Sequence, residues 1–92
     1  SVYELWASMS IADRREYFNM LPRTEAEELF LSLNAPDQAE LISQIDPPQK
    51  RSWVRMLAPD DVADLIQELG PDSKSEILGL LDHQTRREVT AL

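Results

Sequence analysis

Apolar residues recur along this chain as adjacent pairs followed three positions later by a lone apolar residue, and the pattern repeats every twelve residues. In one register the units run SIADRREYFNML from Ser10, PRTEAEELFLSL from Pro22, NAPDQAELISQI from Asn34, DPPQKRSWVRML from Asp46, APDDVADLIQEL from Ala58 and GPDSKSEILGLL from Gly70. A further, incomplete unit, DHQTRREVTAL, begins at Asp82. The eighth and ninth positions hold pairs from Leu5/Trp6 to Val89/Thr90, and the twelfth holds residues from Met9 to Leu81. Of all these only Thr90 is not apolar, in a chain whose overall apolar content is 42%. Regularity of this kind is an internal repeat.

The spacing of one and then three or four residues marks one face of a short helix and excludes strands. Ser10, Asn34, Asp46 and Asp82 suit the N-cap, and Pro47, Pro59 and Pro71 follow where a first-turn amide has no helical partner. Proline at this recurrence forbids one continuous helix. The prediction is an all-α chain in which each unit supplies about ten helical residues, or about 15 Å of helix, and a tight turn. Helices this short are marginal alone, so they must stack. Repetition of one bend winds them into a superhelix lined by the eighth, ninth and twelfth positions, with its hand left open by the pattern. Trp6, Tyr17, Phe18, Phe30 and Trp53 lie on that stripe and are expected in the core, where aromatic burial is most effective.

Composition narrows the class. Residues 1–92 are enough for one small domain, and with no cysteine neither a disulfide nor a thiolate metal site can staple it. Apolar runs reach about three residues, as at Leu29 to Leu31, too short for a membrane span or a signal peptide. A soluble chain is expected. The formal charge of −8 disfavours nucleic acid and anionic membranes and favours a cationic partner, whether protein or metal ion. The helical pattern is still running at Ala91 and Leu92, so the chain is expected to be a piece of a longer polypeptide.

Little in the sequence suggests catalysis. The lone histidine, His83, occupies a slot that three other units fill with proline, and no phosphate loop, nucleophile elbow or paired-histidine motif is present. No enzymatic role is expected. The basic pairs Arg14/Arg15, Lys50/Arg51 and Arg86/Arg87, with Arg55 a turn beyond Arg51, are expected to bridge neighbouring acids or to meet an acidic partner domain. Acids are more regular: the seventh position is Glu4, Glu16, Glu28, Glu40, Ser52, Asp64, Glu76 and Glu88, predicting an acidic stripe on the outside. Such a stripe keeps a domain soluble. Asp60, Asp61 and Asp64 are denser, and the four-residue spacing of Asp60 and Asp64 puts their Cβ atoms about 6 Å apart on one helix face. Two carboxylates so placed suit a hydrated divalent cation such as magnesium, which keeps most of its water. Equally, Asp60 and Asp61 suit the positive end of the helix dipole.

The run LAPDDVADLIQELGPDSKSEILGLLDHQTRREVTAL resembles the N-terminal cytosolic domain of the MgtE magnesium transporters, whose Pro-led twelve-residue units it repeats. The resemblance covers essentially the whole chain and is strongest from Asn34 onward. It implies that this chain is a right-handed superhelix, followed in the family by paired CBS domains, a connecting helix and a membrane pore, and that those later parts lie outside it. It also implies Mg2+ bridging acidic residues of this domain to those of the CBS domains, at Asp60, Asp64 and Glu28. The implied role is a magnesium-sensing regulatory domain on the cytoplasmic face of the inner membrane, in a protein that is a homodimer. The flagellar motor switch protein FliG has similar repeats, and the contrasting expectation is a protein-interaction scaffold indifferent to ions.

Overall fold

A computed structural model describes residues 2–92, with side chains from Glu4 onward. Among these residues every regular element is α-helical: α1 (Val2–Ser8), α2 (Ile11–Met20), α3 (Arg23–Ser32), α4 (Ala35–Ile42), α5 (Pro47–Val54), α6 (Pro59–Gln67), α7 (Pro71–Leu80) and α8 (His83–Thr90). One helix therefore falls in each unit, seven to ten residues long. None is long and apolar enough to cross a membrane.

The joint between units is the same throughout. The amide of each twelfth-position residue donates to the carbonyl of the ninth, from Met9 to Trp6 (3.1 Å) through Leu57 to Val54 (3.1 Å) to Leu81 to Leu78 (3.3 Å). Leu21, Leu33 and Leu81 sit there in extended conformation, and no described residue has positive φ. The turn thus needs no glycine, and its apolar side chain is turned inward as the helix stops. Ser10 Oγ accepts from the Asp13 amide (3.2 Å), and Asp82 Oδ1 accepts from the Thr85 amide (2.7 Å), as N-caps should. Asp46 departs from expectation: it holds the N-cap position, but its side chain makes no capping bond. Proline at the following positions has already removed first-turn amides, so less remains to cap.

The chain divides after Asn34 into two compact units. In the first, Trp6, Phe18, Ala26, Leu29, Phe30 and Leu33 are buried, and the Trp6 and Tyr17 rings meet at a tilt with centroids 6.4 Å apart. In the second, α6 packs against α4, α7 and α8, while α5 packs against α7. The principal neighbour of a helix is thus the one two steps along, as stacked repeat units require. Its core is Ile42, Trp53, Val54, Val62, Leu65 and Ile77, each at most 4% exposed.

Two features depart from the hydropathy reading. Leu5 lies on the inward stripe by register but is 51% exposed. Conversely, the fifth position is inward in the units from Pro22 to Ala58, where Ala26, Gln38, Lys50 and Val62 are all buried. Positions five, eight, nine and twelve together complete the i, i+3, i+4, i+7 face of a helix.

Candidate cation-binding residues

Helix α6 opens as Pro59-Asp60-Asp61, and Val62, Leu65 and Ile66 pin its opposite face into the core. That anchoring forces Asp60, Asp61 and Asp64 outward, and all three are exposed. Asp60 and Asp61 lie in the first turn, where the helix dipole favours negative charge. Asp64 follows Asp60 by one turn on the same face. Neither Asp60 nor Asp64 has an ion-pair or hydrogen-bond partner among the described residues. They form an open pair of carboxylates that offers a hydrated cation two ligand sites and leaves its remaining positions to water or to another surface. No three Asp, Glu or His side chains among the described residues converge closely enough to enclose a metal ion.

Glu28, in the first unit, is exposed on α3. It lines an open groove of about 320 Å³ between α2 and α3 with Tyr17, Leu21, Glu25, Leu29 and Ser32. The structure thus brings Asp60 and Asp64 together on one helix and sets Glu28 beside Glu25.

The acidic stripe is less uniform than its spacing suggested. Glu76 accepts a 2.6 Å hydrogen bond from Lys50 Nζ, which joins α7 to α5 with the lysine side chain 10% exposed and the glutamate 39% exposed. Glu76 therefore serves packing, and Lys50 is withdrawn from any basic docking surface. Glu40 is half-buried and shares a groove of about 270 Å³ with Glu68, Ser43 and Ser73.

The arginines also differ from expectation. Arg14 and Arg86 hold the fifth position of their units and bind backbone carbonyls at the end of the preceding helix. Arg14 Nε donates to the Trp6 carbonyl (2.8 Å) and Nη2 to that of Ala7 (3.2 Å), while the guanidinium lies 5.6 Å from the Trp6 ring centroid. Arg86 Nε donates to the Leu78 carbonyl (3.1 Å) and Nη2 to that of Leu81 (3.4 Å). Each Nε thus adds a second donor to a ninth-position carbonyl that already accepts the twelfth-position amide, at the helix end where the dipole favours a cation. Arg87 Nη2 donates to Gln84 Oε1 (3.1 Å), and His83 is an exposed first-turn residue. The amide of Thr85 holds the Asp82 carboxyl below its ordinary value, with a smaller contribution from the charge of Arg55.

The family model of the MgtE intracellular N domain matches residues 1–92. No curated protein is a significant match. Among solved structures the chain is similar to the soluble part of a magnesium transporter, at 17% sequence identity and a TM-score of 0.49. That similarity covers 96% of this chain and 40% of the other, so the chain spans well under half the length of that relative. With every residue from first to last inside the family match, the chain belongs to the MgtE intracellular N domain family.

Proposed function

We propose that this domain is a cytosolic magnesium sensor in a homodimeric magnesium transporter of the inner membrane, docking on CBS domains through bridging Mg2+ to favour the closed pore. The observation that carries the reading is the exposed, unpartnered pair Asp60 and Asp64, fixed outward by the buried face of α6. Membership of the MgtE intracellular N domain family supplies the context. Glu28 contributes a further carboxylate from α3.

The mechanism is electrostatic. A domain of formal charge −8 is repelled by another acidic surface. Hydrated Mg2+ placed between carboxylates offsets that repulsion, and each surface supplies the oxygens that the other lacks. Loss of the ion leaves the facing carboxylates uncompensated, so the domain separates and the pore is released. The shift between the two states is limited by how much more tightly the docked arrangement binds the ion. Arg51 and Arg55, both exposed, can assist by meeting acids of the partner surface.

Protease protection of the full-length transporter, with and without millimolar Mg2+, tests this reading. Protection of the domain by Mg2+, lost in Asp60→Asn/Asp64→Asn, is the expected result. Mg2+-independent protection, or protection unchanged in that variant, would support the ion-indifferent scaffold instead.

A further inference from the structure

The formal charge of −8 is unevenly shared among the repeat units. From Asp46 to Leu57 the unit carries Lys50, Arg51 and Arg55 against Asp46 alone, whereas every other unit is neutral or acidic. The next unit, from Ala58 to Leu69, holds Asp60, Asp61, Asp64 and Glu68 and no base. Sign therefore reverses between α5 and α6. Lys50, Trp53 and Val54 bury one side of α5, and Arg51, Ser52 and Arg55 remain exposed. Ser52 stands in the seventh position, which every other unit fills with a carboxylate, and its hydroxyl donates to the Gln49 carbonyl (3.0 Å). Arg51 and Arg55 lie one turn apart on one helix face. Among the described residues neither guanidinium has an ion-pair or hydrogen-bond partner, and Arg55 adds only a minor influence on Asp82. Helices α6, α7 and α8 all follow α5, which packs against α7, and the three side chains are exposed with that cover in place.

We infer that the outer face of α5 is a docking contact that needs no metal: Arg51 and Arg55 engage carboxylates of the same acidic partner surface that Asp60 and Asp64 reach through Mg2+. The contact presupposes the sensor reading, in which that surface is acidic, and it sets the Mg2+ concentration at which docking is half complete. An acidic surface repels α6 until a cation intervenes but attracts α5 directly. Guanidinium forks suit carboxylates, and charge complementarity of this kind steers the encounter and fixes its register. Attraction at α5 persists when the ion is absent, so less ion binding is needed to populate the docked state. Ser52 is the residue that keeps this face basic. A glutamate in its place would pair with Arg55 at i+3 and repel the partner's carboxylates.

The test is the Mg2+ concentration that gives half-maximal protease protection of the full-length transporter in neutral detergent. Arg51→Gln/Arg55→Gln should raise it about fivefold, the scale of exposed ion pairs. Ser52→Glu, which installs the residue type that the stripe carries elsewhere, should raise it about threefold. Added KCl should raise it more in the wild type than in Arg51→Gln/Arg55→Gln, because the variant has less attraction to screen. Independently, in Arg51→Lys/Arg55→Lys a water-soluble carbodiimide should join the introduced amines to carboxylates outside residues 1–92, most strongly with Mg2+ and detectably without it. No such cross-link in either condition, or equal thresholds in all variants, would overturn the contact. A wild type whose protection ignores Mg2+, while the cross-links still form, would overturn the sensor's ion dependence and leave the contact standing. Threshold shifts that require anionic vesicles would assign the face to lipid and overturn the contact.

Discussion

The two units are built from the same twelve-residue repeat yet bury it differently. In the second, α6 has helices on three sides, and among its described residues the large apolar side chain left well exposed is Leu92. In the first, which has three helices, Leu5 of the inward stripe is 51% exposed, Ile11, Met20 and Leu31 outside that stripe are also more than half exposed, and the core rests on Trp6, Phe18 and Phe30. A repeat unit cannot cover its own apolar stripe and depends on neighbours one and two steps away. Five helices supply those neighbours better than three. Large aromatic side chains compensate in part by filling more space per residue.

Truncation at equivalent core positions should expose this difference most strongly. Leu65 on α6 and Leu29 on α3 both occupy the eighth position and both are buried. Leu65→Ala should cost about 3–4 kcal/mol, because a site walled by three helices cannot collapse onto the cavity. Leu29→Ala should cost about 2–3 kcal/mol, because a more open surround relaxes. Urea titration of each variant measures both. Equal costs would mean that the two units are equally well packed. The same argument predicts slower native-state amide exchange in α6 than in α2.

Lys50 sharpens the comparison, since a paired, buried cation of this kind occurs in the second unit. Its stem packs between α5 and α7 while its ammonium reaches a partly solvated Glu76. Lys50→Met retains the stem and should cost about 1 kcal/mol or less, because Glu76 can still be hydrated. Lys50→Ala removes the packing as well and should cost about 2 kcal/mol. If Lys50→Met proves as harmful as Lys50→Ala, the charge pair contributes more than the packing.

Arg14 and Arg86 allow a smaller test at one register position in both units. Each binds carbonyls of the preceding helix, but Arg14 also lies against the Trp6 ring. Loss of the carbonyl bonds should cost about 1 kcal/mol in either case. The aromatic contact should add about 0.5–1 kcal/mol to Arg14→Ala alone. Thermal unfolding of Arg14→Ala, Arg86→Ala and Arg14→Lys separates the two contributions, because lysine keeps the charge but loses the planar fork.

These arginines also show where reading the sequence by hydropathy stops. The period, the helices and the inward eighth, ninth and twelfth positions follow from where apolar residues fall. The fifth position does not, because it holds Arg14, Gln38, Lys50, Lys74 and Arg86 beside Ala26 and Val62. Long basic side chains can bury a stem and deliver a charged head elsewhere, so polarity alone misplaces them. A helical-wheel count of i, i+3, i+4 and i+7 would have found the position. At the candidate cation site, the shared face of Asp60 and Asp64 was legible from their spacing, and the role of Glu28 rested on resemblance. The diversion of Glu76 to Lys50 was not legible, since it joins residues 26 apart through tertiary packing.

The smallest effect concerns the caps at the first position. Ser10 caps α2 through a hydroxyl, and Asp82 caps α8 through a carboxylate. The Asp82 carboxyl is held below its ordinary value of 3.8, first by the amide of Thr85. A folded-state value below the unfolded one contributes stability that is fully present above the unfolded value and is lost as pH falls through the folded value. The α8 cap should therefore weaken as pH drops below 3.8, while the hydroxyl cap of α2 has no proton to gain. Backbone chemical shifts of Thr85 and Arg86 followed through an acid titration should show this step. Asp82→Ser transplants the first unit's cap into the second and should abolish the step while keeping the α8 N-terminus ordered at neutral pH. A step that persists in Asp82→Ser would show that the Asp82 cap is not the source of the acid sensitivity of α8.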